Sequence, residues 1–232
     1  LTGISGEIEM FKKSILVGLL ALAATTAHAI PALQLGEGSA GDWSYDNGTQ
    51  TWVTNSSSFT VNATANSDGA GANGSYAWDA AGALTQTAYL ILAAVPGDQT
   101  TDGFDVSVSN DGGLLSLYDS GYGTPPIEDP NSIGGHGIYD SYFEIYAFNF
   151  DESVTTIFDT QPGGTGTGNG YLESFDITIN ELFGDVTGLH MDLVTIQGDG
   201  ILDLGSNDRK TVNAFAPFSH DAEATPGPGT HT

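Results

Sequence analysis

The run Tyr142-Phe143-Glu144-Ile145-Tyr146-Ala147-Phe148-Asn149-Phe150 restricts the possible folds more than any other stretch of the chain. Its nine residues include five aromatics and an isoleucine, with no glycine or proline. Aromatic and β-branched side chains suit a pleated surface, and successive side chains on a strand point to opposite faces. Tyr142, Tyr146, Phe148 and Phe150 therefore share one face, and Phe143, Ile145 and Ala147 share the other. A strand that is apolar on both sides must be covered above and below. The run predicts the central strand of a covered, all-β sheet.

The rest of the chain repeats the strand signal in weaker form. Apolar runs separated by Gly, Asn and Asp predict strands at Ala32–Leu35, Asp42–Asp46, Thr49–Thr54, Ser58–Thr64, Gln86–Val95 and Gly103–Ser109. Further strands are predicted at Leu114–Tyr118, Tyr142–Phe150, Ser153–Asp159, Tyr171–Ile179, Leu189–Ile196 and Thr211–Phe215. Many short strands with frequent turn residues point to a two-sheet antiparallel β-sandwich of jelly-roll type. In Tyr171–Ile179, Phe175, Ile177 and Ile179 alternate with Ser174, Asp176 and Thr178. In Leu189–Ile196, Leu189, Met191 and Leu193 form the inward set, and His190 with Asp192 is expected on an exposed outer face. Gly123 to Gly137 and the Gly/Thr-rich Gln161 to Gly170 are expected loops, the second a hairpin loop.

Asn47-Gly48 is a favoured pair for a two-residue type I′ hairpin turn. That turn would set Asp46 opposite Thr49 and Trp43 opposite Trp52, with Trp43, Tyr45 and Trp52 on one face. Such an aromatic face can stack on sugar rings, as in a carbohydrate-binding module. The competing reading is that it is the core side, since Ser44, Asp46, Thr49 and Thr51 make the opposite face polar, and this reading is preferred.

Met10-Phe11-Lys12-Lys13, the apolar run Ser14 to Ala24 and Ala27-His28-Ala29 have the layout of a secretory signal peptide. The run is shorter than the roughly 20 residues a spanning helix needs. Residues 1–9 form an upstream extension, 1–29 are assigned to extension plus signal peptide, and the mature chain is expected from Ile30 without a transmembrane segment. One domain is expected over 30–222, with 223–232 a Pro/Gly-rich tail. The whole chain has 29 Asp and Glu against four Lys and Arg, a net charge of −25. Removing Glu7, Glu9, Lys12 and Lys13 leaves that charge unchanged. No basic patch remains to neutralise phosphates, so nucleic acid is an unfavourable partner. There is no cysteine, which excludes disulfides and thiolate metal sites.

Several segments taken in order resemble a secreted bacterial family, the choice-of-anchor N proteins. They are Ala32-Leu33-Gln34-Leu35, Tyr45-Asp46 with Thr51-Trp52-Val53, Tyr89-Leu90 with Ala93-Ala94-Val95-Pro96, and Tyr122-Gly123-Thr124-Pro125-Pro126-Ile127-Glu128. His136-Gly137-Ile138, Tyr142-Phe143, Phe148-Asn149-Phe150, Leu189-His190-Met191-Asp192-Leu193 and Ala216-Pro217-Phe218-Ser219-His220-Asp221-Ala222 complete the set. The resemblance implies an exported surface or extracellular protein with no known activity. Its relatives carry interchangeable sorting signals, often of the PEP-CTERM type found in exopolysaccharide-producing bacteria. No Pro-Glu-Pro motif follows Ala222, so anchored and released forms both stay open.

Candidate sites are sparse. No G-x-S-x-G marks a hydrolase nucleophile, and Ser219, His220 and Asp221 are chain neighbours whose side chains point apart on an extended backbone. Paired carboxylates could serve a secreted glycosidase if suitably separated, but so acidic a chain produces such pairs by chance. His190 and Asp192 are only two zinc ligands. A structural calcium is the favoured ion, with Asp199, Asp203, Asn207 and Asp208 as oxygen donors on one loop, although β-turns favour the same residues. The expectation is therefore a non-enzymatic, acidic matrix or adhesion protein at the cell surface. Its expected partners are exopolysaccharide or neighbouring copies, reached through bridging cations.

Overall fold

The computed structural model describes residues 32–66, 87–96, 102–123, 141–150, 155–164, 166–196, 212–216 and 221–227. The expected export segment, the calcium loop and most of the Gly123 to Gly137 stretch lie outside these residues. All described regular elements are strands. They are β1 (Leu33–Glu37), β2 (Trp43–Asp46), β3 (Thr51–Thr54), β4 (Ser58–Asn66), β5 (Ala88–Val95), β6 (Phe104–Asn110) and β7 (Gly113–Leu114). There follow β8 (Asp119–Gly123), β9 (Ser141–Phe148), β10 (Thr155–Phe158), β11 (Thr167–Leu182), β12 (Gly188–Ile196), β13 (Val212–Phe215) and β14 (Ala222–Ala224). Among the described residues no helix is long and apolar enough to cross a membrane.

The strands form two sheets. One has the order β1-β4-β11-β6-β7, with β10 also paired to β11; the other runs β2-β3-β14-β12-β5-β9-β8, with β13 paired to β12. All pairs are antiparallel except β14 with β3, which is parallel. The inner faces share one core. Leu33, Phe59, Val61, Phe175 and Ile177 from the first sheet pack in it with Leu90, Leu92, Tyr146, Phe148, Leu189, Met191 and Leu193 from the second. The rings of Phe148 and Phe175 meet edge to face between the sheets, their centroids 4.7 Å apart. Each fully buried side chain of this size contributes about 1.5–3 kcal/mol, so this seam holds the sandwich together. The all-β, two-sheet architecture agrees with the sequence expectation.

β9 is covered on both faces as its composition requires. Tyr146 and Phe148 join the shared core, while Phe143 and Ile145 join a second buried cluster on the outer face of the second sheet. It is not the central strand, however: β9 lies between β5 and the terminal strand β8, and β5 sits further in, between β12 and β9. The expected strand Leu114–Tyr118 is also corrected. Leu115 donates its N–H to Val108 of β6, and three residues on, Tyr118 donates to Ile145 of β9. Leu114 ends the short strand β7 of the first sheet, and residues 115–118 then cross to the second sheet without belonging to a strand of either. Finally, Glu223 and Ala224, assigned to the tail by composition, belong with Ala222 to a strand inserted between β3 and β12.

Candidate functional site

The aromatic hairpin is built from β2 and β3. Tyr45 stands opposite Trp52, and Asp46 opposite Thr51. The connection is therefore the four residues Asn47 to Gln50 rather than a two-residue turn at Asn47-Gly48. Gln50 takes the left-handed conformation (φ 58°), and the Asp46 carboxylate accepts the N–H of Gly48 at 2.7 Å, a side-chain turn that competes with the type I′ form. The register moves by two residues, an even shift, so Trp43, Tyr45 and Trp52 still share a face.

That face is the core side, the reading preferred over a sugar platform for Trp43, Tyr45 and Trp52. Trp52 is buried in the shared core, and Trp43 and Tyr45 are half-buried against it. The Trp52 indole N–H donates to the Thr160 carbonyl at 3.0 Å. That of Trp43 donates to the carbonyls of Ala40 and Thr60, both at 3.0 Å. The rings pack edge to face, Trp43 on Phe59 and Tyr45 on Trp52. Trp43 and Tyr45 keep part of their surface exposed, whereas the Trp52 ring is buried.

The chemistry-bearing cluster lies on the outer face of the second sheet. In β12, Leu189, Met191 and Leu193 turn inward, which puts His190 and Asp192 outward, as the alternation demands. β14 then runs antiparallel beside β12, with Leu189 opposite Ala224, His190 opposite Glu223 and Met191 opposite Ala222. One step further, Asp221 arrives opposite Asp192. Two features dock β14 here. Gly188 has no Cβ, and one would strike the Ala224 carbonyl. On the other side, Trp52 N–H donates to Asp221 O at 3.1 Å and Thr225 N–H to Thr54 O at 2.8 Å. On the β5 side the small Ala93 stands opposite His190.

His190 Nε2 is 3.4 Å from Asp192 Oδ1 and 3.7 Å from Asp221 Oδ2. Each of the three offers a ligand atom within 4.8 Å of the others. His190, Asp192 and Asp221 are 5%, 2% and 0% exposed, so the expectation of an exposed His190–Asp192 pair is corrected. The buried apolar cluster of Tyr89, Ile91, Ala93, Phe143, Ile145 and Val194 occupies the same face. Burial alone would lower the His190 pKa, but Asp192, by charge and hydrogen bond, with Asp221 and Glu223, raises it to about 9. Glu223 is pushed up by burial and by Asp46, while His190 pulls it down. One nitrogen and two carboxylates converging at these distances can hold a proton or a metal cation between them.

A second polar group sits on the inner face. Glu144 is buried among aromatics and accepts from Tyr146 Oη at 2.6 Å and Tyr142 Oη at 3.0 Å. Burial first, and then the Glu144 charge and hydrogen bond, raise both phenols above their usual 10.0. The i, i+2 spacing around Glu144 is visible in sequence; the contribution of Asp221 is not. Asp199, Asp203, Asn207 and Asp208, the expected calcium ligands, fall outside the described residues.

No family model matches the chain, and no curated protein matches it. Among solved structures it is similar to AvmM, described as catalysing macrocyclization in alchivemycin A biosynthesis, with a TM-score of 0.34 and 8% identity over 83% of this chain and 100% of that one. It is also similar to the Corynebacterium diphtheriae major pilin SpaA, with a TM-score of 0.27 and 8% identity over 84% of this chain and 37% of that one. At such scores neither likeness bears on function.

Proposed function

We propose that this chain is an exported, non-enzymatic β-sandwich that serves as a structural or adhesive module of a bacterial surface or matrix. The observation that carries this reading is the outer face of the first sheet. There Ser58 and Asn62 of β4, Ser174, Asp176, Thr178 and Asn180 of β11, and Asp105, Ser107 and Ser109 of β6 line a largely polar face, with Thr60 buried beneath it. Its side chains are tied to each other: Thr60 Oγ1 donates to Asp176 Oδ1 at 2.6 Å, Ser174 Oγ to Asn62 Oδ1 at 2.8 Å, and Asn180 Nδ2 to Ser107 Oγ at 3.1 Å. Hydroxyl and carboxylate groups ordered in this way suit contact with a hydrated polymer. A net charge of −25 keeps copies apart until a divalent cation bridges carboxylates.

Calcium acts in this reading on exposed acids, joining the face to exopolysaccharide or to a neighbouring copy. The test is light scattering and polymer co-sedimentation across a calcium titration, reversed by chelator. Association that appears with calcium and disappears with chelator supports the proposal. Behaviour identical with and without calcium, or turnover of glycan by the purified chain, overturns it.

A further inference from the structure

We infer that His190, Asp192 and Asp221 form a structural binding site for a first-row divalent metal of the zinc type, which clamps β14 onto β12. The inference does not rest on the matrix reading, since that reading uses calcium on exposed carboxylates and either can fail alone.

Donor chemistry comes first. Imidazole nitrogen with two carboxylates is a zinc-type set, whereas calcium takes six to eight oxygens. Donors at about 2.0–2.2 Å from a tetrahedral zinc stand about 3.3–3.6 Å apart. The His190–Asp192 and His190–Asp221 separations are 3.4 and 3.7 Å. Both exceed the roughly 2.7–2.9 Å of a direct charge-assisted hydrogen bond. The first separation falls within the spacing of ligands around an ion and the second lies just beyond it, in groups that already attract one another as ion pairs.

Charge and placement agree with this. Two ionised carboxylates, a neutral imidazole and a divalent cation sum to zero, the balance a buried site needs. Strand geometry supplies the convergence, because residues two apart on β12 and a cross-strand residue leading into β14 share one face. The site also sits where the fold needs a fastener. β14 has three residues, and among the described strands it is the one that joins β3 to β12 in the sheet order. A metal shared by Asp221 and β12 would fix that link, and burial implies that the ion enters as the chain folds.

The test uses the full chain, unfolded in denaturant with chelator and refolded with zinc alone. Metal content is measured after dialysis, together with the thermal midpoint. The expected result is about one zinc per chain, a raised midpoint, and loss of retention in D192N and D221N. That loss should exceed the roughly 10–100-fold that removal of an outer-shell partner costs. Cobalt(II) in place of zinc should give the intense visible bands of a four-coordinate site, bleached by added zinc. This reading requires no variant and decides the matter if D221N does not fold. Zinc at background level in folded protein, retention undiminished in a folded D221N, or only weak six-coordinate cobalt bands would overturn the assignment.

Discussion

The two outer faces of the sandwich obey the same alternation and end in opposite environments. On the first sheet, Asp176, Thr178 and Asn180 of β11 are exposed, and their polar groups bond sideways to β4 and β6. On the second sheet, the outward residues of β5, β9 and β12 are buried: Ile91, Ala93, Phe143, Ile145, Val194, and with them His190 and Asp192. Alternation tells which way a side chain points. It does not tell whether that side is wet. A polar residue on the first face costs little, while one on the second must find a partner of opposite character.

The sharpest break in this comparison is the hairpin that borders the dry sheet. Trp52→Ala removes a buried indole and its bond to Thr160, and should cost about 3–5 kcal/mol in urea melts; a stable, folded variant would return the hairpin to the role of surface platform. Next comes a matched apolar pair. Ile91→Ala on the second outer face should cost about 2–5 kcal/mol, whereas Leu172→Ala on the first should stay within about 1 kcal/mol because Leu172 is 39% exposed. Equal losses would mean the two faces are alike.

A pH series sharpens the contrast from the inner side. The Tyr142 and Tyr146 pKa values lie above 10.0 in the fold, so their contribution is intact below pH 10 and is lost as pH rises beyond it. Denaturation midpoints should fall above pH 10, and Glu144→Gln should flatten that fall, because it removes the charge that opposes phenolate formation. The smallest expected effect is on the wet face: Asn180→Ala loses a bond of 3.1 Å in an exposed setting and should shift stability by no more than about 0.5 kcal/mol.

Much of this was legible in the sequence because it depends on local period. The two apolar faces of β9, the inward set Phe175, Ile177 and Ile179, and the shared face of Trp43, Tyr45 and Trp52 follow from alternation alone. The hairpin register did not follow, since Asp46 and Gln50 built a longer turn than Asn47-Gly48 suggested; the even shift spared the faces. Leu114–Tyr118 looked like a strand because a crossover between sheets can carry the same apolar residues as a strand. The metal-ligand cluster was half legible. His190 and Asp192 are two apart on one strand, but Asp221 joins them through pairing of a three-residue strand, Ala-Glu-Ala, with no periodic signal of its own. Burial of the pair was not legible at all, because what covers a face is not written in the strand that presents it.

One substitution made at two places tests the account most directly. Asp192→Asn and Asp176→Asn change the same atoms on strands of the two sheets, each side chain pointing outward. With D192N the buried cluster loses a charge it is built around, and equilibrium unfolding should show a loss of about 3–5 kcal/mol. For D176N the loss should stay within about 1 kcal/mol, the worth of its bond from Thr60. Equal stabilities for the two variants would contradict the division into a wet and a dry outer face.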